Sequence, residues 1–124
     1  MQTLAVVVTT PPHNNLTTTA IDYIECALKS GIDIVGVFFY QEGVLNASSH
    51  LSLPSDEYQA HKQWQRLSRD YQLPLHICVT AAEKRGLSDD IGSNQQTNID
   101  KAFILSGLGE LVELSNKADR VIQL

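Results

Sequence analysis

The sequence predicts an α/β fold, with a mainly parallel five-stranded sheet and helices on both of its faces. Short continuous apolar runs alternate along the chain with segments whose apolar residues recur at helical spacing. Such runs are typical of strands buried on both faces, which occur where helices cover a parallel sheet. A chain of 124 residues is enough for one domain, so residues 1–124 are predicted to form a single domain.

The first two predicted strands and the helix between them have clear boundary signals in the sequence. Thr3–Thr9 is the first predicted strand, and a proline pair shortly after it stops it because proline cannot donate a backbone hydrogen bond. Thr17–Ser30 is predicted to be a helix, and Gly31 stands where a helix C-terminal glycine belongs. Ile32–Tyr40, rich in Ile, Val and Phe, is the second predicted strand.

A long loop is expected to separate the second strand from the second helix. Gln41–Pro54 shows no clear periodicity, and loops of this length in a compact domain are often functional. Ser55 is predicted to cap a helix that runs to about Gln72. Asp56 and Glu57 would then lie in its first turn, where the helix dipole favours anions. The predicted buried stripe of this helix consists of Tyr58, His61, Trp64, Leu67 and Tyr71.

The second half of the chain continues the same alternation. Leu75–Val79 is the third predicted strand, Thr80–Arg85 a short helix, Ser88–Asn98 a polar loop and Ala102–Leu105 the fourth strand. Asp119–Leu124 is the fifth strand. Before it, the apolar face of the last predicted helix is marked by Leu108, Leu111, Val112 and Ser115.

This order of elements is typical of a flavodoxin- or Rossmann-like three-layer sandwich, and the strand order 2-1-3-4-5 is the topology we predict. In that order the topological switch point lies between strands 1 and 3, so a site is expected there. The first strand is followed neither by a Gly-x-Gly-x-x-Gly segment nor by a Walker A lysine, which argues against the usual nucleotide sites. Flavin mononucleotide on the same fold is left open.

Charge and composition exclude several classes of partner. The net charge of −5, from 9 basic and 14 acidic residues, argues against direct binding to nucleic acid. The longest apolar runs are strand-sized, so no membrane span or secretory signal is expected. Two cysteines in such a chain indicate reduced thiols and a cytoplasmic location.

Cys78 is the strongest candidate for chemistry. It ends the third predicted strand, directly before the Thr80–Arg85 helix, where it would face the expected crevice. The N-terminus of a helix stabilises a thiolate, which is the nucleophilic form of cysteine. Lys84 and Arg85, in the same helix, would add positive potential. The alternative is that Cys78 is a small apolar residue buried at a strand end.

The other candidates are weaker. His13 follows the first strand and would line the rim of the same crevice, unless it is an ordinary loop residue. His76 shares a strand face with Cys78 and either tunes that thiol or is a packed core histidine. Cys26 lies off the apolar stripe of its helix, and Glu42 is either a general base or a solvated carboxylate. The histidines and cysteines lack the spacing of a metal site.

Three segments of the chain resemble the DsrE-like family of sulfur-relay proteins. They are Phe38–Ala47, His76–Gly86, and the C-terminal block formed by Phe103–Gly109 with Asp119–Gln123. In this order and at these spacings they carry the resemblance over essentially the whole chain. Departures include the first-strand loop around His13, which has less glycine than relatives often show.

The resemblance implies a sulfurtransferase of the persulfide-relay kind. A cysteine at the Cys78 position accepts sulfane sulfur as a persulfide and passes it on. Thr80, Lys84 and Arg85, together with His13 and His76, are the candidates for support of this pocket. No metal or organic cofactor is needed for such a thiol exchange. The sulfur is expected to end in 2-thiouridine at the wobble position of transfer RNA.

The resemblance also implies protein partners. They are TusB- and TusC-like subunits in a heterohexamer, a TusA-like sulfur donor and a TusE-like acceptor. We expect the chain to self-associate when alone, because Trp64, the Phe38–Tyr40 run and the loop at 41–54 are predicted to offer apolar surface. Alternatives are a DsrE-type subunit in sulfur oxidation, a non-catalytic interaction module, and a small-ligand-binding protein on the same fold.

Overall fold

The computed structural model describes residues 2–88 and 97–124, and within them strands alternate with helices. A 3-10 helix at Gln41–Ala47 occupies the first half of the segment Gln41–Pro54, which the sequence predicts to be a loop. The remaining elements are β1 (Thr3–Val8), α1 (Asn15–Lys29), β2 (Asp33–Phe39), α2 (Ala60–Tyr71), β3 (Leu75–Cys78), α3 (Val79–Lys84), β4 (Phe103–Ser106), α4 (Leu108–Lys117) and β5 (Arg120–Gln123).

The strands form one sheet in which each adjacent pair is parallel, which confirms the predicted fold class. The predicted order 2-1-3-4-5 is wrong, because the observed order is β4-β3-β2-β1-β5. Burial explains the difference. β2 is buried over most of its length and takes a central place, whereas β4 is only partly buried and takes the edge that the prediction gave to β2. The expected switch point between β1 and β3 does not exist, since β2 separates them.

The helices cover both faces of this sheet. On one face, Phe39 of β2 meets Trp64 of α2 at 4.9 Å between ring centroids and Phe103 of β4 at 5.2 Å. On the other face lies α4, which contacts β1 and β2. A Cβ on Gly36 would come within 2.9 Å of the Leu114 side chain, so the missing side chain lets α4 lie close to the sheet.

The predicted start of α2 at Ser55 is also wrong, since the helix begins at Ala60. Residues 55–57 instead form a turn in which the Glu57 amide donates to the Pro54 carbonyl at 3.0 Å. The Gln59 side chain donates to the same carbonyl at 2.8 Å, which holds the loop against the helix start. Tyr58 therefore lies outside the helix and is exposed, whereas Trp64 and Leu67 are buried as predicted.

The apolar surface expected from Trp64 and the Phe38–Tyr40 run is not there. Trp64, Phe38 and Phe39 are fully buried in the core, because both faces of β2 are covered. The predicted loop at 88–98 lies largely outside the described residues. Within the described part of the chain, no helix is both long enough and apolar enough to span a membrane.

Candidate active site

Cys78 is the last residue of β3 and the N-cap of α3. Its extended backbone, with φ −68° and ψ 120°, turns the chain directly from the sheet into the helix. The residue is 1% exposed. The thiol thus lies at the carboxyl edge of the sheet, where parallel α/β folds place their sites, although not at the predicted switch point.

A cavity of about 280 Å³ adjoins this thiol. Four of the residues predicted from the sequence lie in its wall, namely Cys78, Thr80, Lys84 and Arg85. The sequence analysis missed the other members of the wall, which come from three separate elements. They are Tyr40 and Gln41 after β2, Ala81 on α3 and Leu108 at the start of α4.

The two cations of the cavity differ in their surroundings. Arg85 donates from Nε and Nη2 to one carboxylate oxygen of Glu42, at 2.9 and 2.7 Å, and from Nη1 to the Ala81 carbonyl at 3.0 Å. Its charge is therefore compensated, and it joins α3 to the 3-10 helix. Lys84 is exposed, and among the described residues no carboxylate lies within ion-pair distance of it. Lys84 supplies the uncompensated positive charge.

The cavity wall opposite α3 is the 3-10 helix, and the buried side-chain amide of Asn46 holds it in place. Asn46 of the 3-10 helix donates to the carbonyls of Thr10 at 3.0 Å and Gly43 at 2.8 Å, and accepts from Trp64 Nε1 at 2.9 Å. Gly43 lies so close to β1 that a Cβ there would be 2.0 Å from the Val8 carbonyl oxygen. These contacts fix the turn that carries Gln41, whose φ of 52° is left-handed.

His76 lies on the sheet face of Cys78 but outside the cavity wall. Its Nδ1 is 2.9 Å from Ser106 Oγ, and its Nε2 is 3.3 Å from Glu110 Oε1. Burial lowers the pKa of His76, Glu110 partly opposes this, and Lys117 adds to the lowering. The imidazole is therefore mostly neutral at neutral pH.

Two candidates lie away from the cavity. His13 is exposed in the loop after β1 and is not among the lining residues. Cys26 is an exposed thiol on α1, in a shallow depression with Glu25 and Lys29. Among the residues that the structure describes, no group of three or more His, Cys, Asp or Glu side chains is arranged to hold a metal ion.

The arrangement suits thiolate chemistry on a small group. The Cys78 thiol at a helix N-terminus borders a confined volume, and the same wall holds the Lys84 ammonium group, which no carboxylate in residues 2–88 or 97–124 pairs with. Positive charge near a thiol favours the thiolate, and it would also favour an anionic product on the same sulfur.

Comparisons with known proteins agree with this geometry. The model of the DsrE/DsrF-like family matches residues 2–124. The sulfurtransferase TusD homolog of Pasteurella multocida (strain Pm70) is 43% identical over 107 residues, which cover 85% of each chain. Sulfurtransferase TusD of Salmonella arizonae is 38% identical over 124 residues, covering 96% of this chain and 97% of its own. The crystal structure of the YchN protein from E. coli has the same fold, with a TM-score of 0.77 over 100% of both chains at 21% identity.

Proposed function

Because the chain belongs to the DsrE/DsrF-like family, we propose that it is a sulfurtransferase that carries sulfane sulfur as a persulfide on Cys78. The observation that carries this proposal is the position of Cys78 in the wall of a cavity that is also lined by Lys84, which has no ion-pair partner among the described residues. Proteins named sulfurtransferase TusD are similar to the chain over most of its length, which supports the same role.

The chemistry is a pair of thiol exchanges. The Cys78 thiolate attacks the outer sulfur of a donor persulfide, the donor S–S bond breaks, and the donor leaves as a thiolate. An acceptor thiolate then attacks the outer sulfur on Cys78, which releases Cys78 as a thiolate again. Each exchange is redox-neutral overall, so the proposed chemistry needs no metal or organic cofactor.

The cavity favours the loaded state. A persulfide anion on Cys78 would project into the volume bordered by Lys84, and opposite charges attract more strongly where water is partly excluded. Thr80, at the start of α3, adds a hydroxyl group to the same wall. Arg85 serves a different purpose in this proposal, because its bond to Glu42 holds α3 against the 3-10 helix.

The sulfur comes from and goes to other proteins. We place the chain in the cytoplasm, with a TusA-like donor, a TusE-like acceptor and TusB- and TusC-like subunits, and with 2-thiouridine in transfer RNA as the end product. The acidic net charge of −5 supports contact with proteins rather than with the RNA itself.

The test is to load the protein from a persulfidated donor and weigh it intact. We expect an added mass of about 32 Da, one sulfur atom, on the wild type because exchange transfers only the outer sulfur. Cys78→Ser should carry no label. Cys26→Ser is the matched control, since this exposed thiol lies outside the cavity, and it should be labelled like the wild type. A label that persists on Cys78→Ser would show that the site is wrong.

A further inference from the structure

We propose that three linked side chains, the first of them the strand partner of Cys78, form a relay that accepts its thiol proton, an inference that rests on the sulfur-carrier function proposed above. They are Ser106 at the end of β4, His76 on β3 and Glu110 on α4. The relay would generate the attacking thiolate at a cysteine that is only 1% exposed to solvent.

Strand pairing brings the first member to the thiol. Cys78 and Ser106 are register partners on adjacent parallel strands, so their side chains stand on the same face of the sheet. Neighbouring strands are about 4.8 Å apart, which is within reach of a rotation of the Cys78 side chain about its Cα–Cβ bond. His76 shares that face because it lies two residues before Cys78.

The hydrogen bonds set the direction of proton transfer. Glu110 Oε1 lies 3.3 Å from His76 Nε2, and because a carboxylate can only accept, this contact favours the tautomer with the proton on Nε2. His76 Nδ1 is then an acceptor, and Ser106 Oγ donates to it at 2.9 Å. The Ser106 oxygen keeps lone pairs that can accept the S–H proton of Cys78.

The charges around His76 leave it able to take a proton. Its neighbours are Ser106 from β4, and Glu110 and Lys117 from α4. Burial keeps the pKa of His76 below its usual range, so at neutral pH the ring is mostly neutral. Glu110 then stabilises the imidazolium once it forms, because opposite charges lie in direct contact.

The proposed step conserves atoms and charge. The Cys78 S–H bond breaks and its proton joins the Ser106 oxygen, while the Ser106 hydroxyl proton moves to His76 Nδ1. The products are a Cys78 thiolate and a His76 imidazolium. After sulfur transfer, the imidazolium releases its proton to solvent and the donor thiolate takes one proton from solvent, so the net products are a Cys78 persulfide and a donor thiol.

The relay can be tested by alkylating Cys78 with iodoacetamide, which needs no sulfur donor. In a Cys26→Ser background, the rate is followed by mass spectrometry across a range of pH. We expect Ser106→Ala to slow alkylation about a hundredfold at neutral pH, the low end of general-base effects. The rates should converge at high pH, where hydroxide deprotonates the thiol. Ser106→Thr, which keeps the hydroxyl group, should restore the rate.

The controls separate the relay from packing and from the proposed function. Ser115→Ala is the matched control. It removes an exposed hydroxyl from α4, the helix that carries Glu110; this hydroxyl donates to the Leu111 carbonyl, so its loss should not change the alkylation rate. His76→Gln should slow the alkylation of Cys78 as Ser106→Ala does. It serves as the deciding variant if Ser106→Ala does not fold. Coincident pH profiles for the wild type and the relay variant would overturn the relay. Sulfur loading of Cys78 is measured separately, so that result would not contradict the proposed sulfur-carrier function.

Discussion

The thiol of Cys78 is nearly closed off by protein, and that limits how a sulfur donor can approach it. At 1% exposure, the sulfur can be reached only from the cavity that Thr80, Lys84 and Leu108 border. A volume of about 280 Å³ admits the tip of a side chain but not a folded surface. For the sulfur transfer proposed above, a donor would have to extend its persulfide into this cavity on a projecting segment, so the shape of the cavity would select against a sulfur that lies flush with a folded surface.

The buried imidazole of His76 should make folding stability depend on pH. Its folded pKa is lowered from the unfolded value of about 6.5, so the unfolded state binds more protons. The contribution of His76 to stability is therefore fully present above that unfolded pKa and is lost as the pH falls through the folded pKa. We expect the difference in unfolding free energy between wild type and His76→Gln to shift against the wild type as the solution is acidified.

Urea unfolding at a series of pH values measures this difference directly. Groups other than His76, such as Glu25 beside Arg66, are common to both proteins and cancel in the comparison. A difference that stays constant with pH would show that His76 does not change its protonation on folding.

At this scale the sequence predicted the position of Cys78 at a strand end directly before a helix, but not the surroundings of that residue. The place of Cys78 can be predicted from the sequence because an apolar run ends in cysteine directly before a helical segment. The Ser106 contact depends on the register between β3 and β4, and the Glu110 contact on the position of α4 over the sheet. Neither relation has a local sequence signal, because both join residues that are 30 or more positions apart in the chain.

Among the elements, the 3-10 helix at Gln41–Ala47 is the one that shapes the cavity. Its position depends on Gly43, since a Cβ there would lie 2.0 Å from the Val8 carbonyl oxygen. We expect Gly43→Ala to destabilise the fold by about 2–3 kcal/mol, the usual cost of forcing atoms into a packed site. It should also slow sulfur loading, because Gln41 and Glu42 would move with the helix.

Gly109→Ala is the matched control for this change. A Cβ at Gly109 would meet nothing within 4 Å, and the residue lies inside α4. The control should therefore be neutral or more stable by up to about 1 kcal/mol, since alanine favours helices over glycine. Thermal unfolding and loading rates of the two variants check the prediction, and equal stabilities would contradict it.

The two errors at the level of elements have separate physical causes. The Ser55-Asp56-Glu57 segment fits a helix N-terminus, but the same residue types also favour turns, and here Pro54 and Gln59 stabilise a turn. The strand order was wrong because apolar runs show that strands are buried but not which strands are neighbours. Only the greater exposure of β4 compared with β2, visible once the sheet is formed, distinguishes the edge strand from the central one.

For the molecule as a whole, the apolar surface lies on the α4 side of the sheet rather than where the sequence suggested. Leu108 and Val112 stand one turn apart on α4 and are 52% and 58% exposed, and Ile104 of β4 is 50% exposed. Leu108 also borders the cavity of Cys78. We expect self-association of the isolated chain, and contact with its partner subunits, to use this α4 surface.

Val112→Lys should weaken that association about tenfold or more, the cost of losing a buried aliphatic side chain from an interface. Leu16→Lys on α1, which is 49% exposed on the other side of the sheet, is the matched control and should have little effect. Sedimentation equilibrium measures both variants. A stable monomer for the wild type, with and without TusB- and TusC-like subunits, would contradict the prediction.

The pairing of β5 with β1 has a consequence for synthesis on the ribosome. The Thr3 amide donates to the Asp119 side chain across 116 positions of the chain. At about 5–20 residues per second, a nascent chain waits roughly 6–23 s between making these two residues. During that time the open edge of β1, with the apolar run Leu4–Val8, has no strand to cover it. Unpaired apolar edges recruit other strands, so each growing copy is exposed to aggregation until β5 emerges, and molecular chaperones have that interval in which to act.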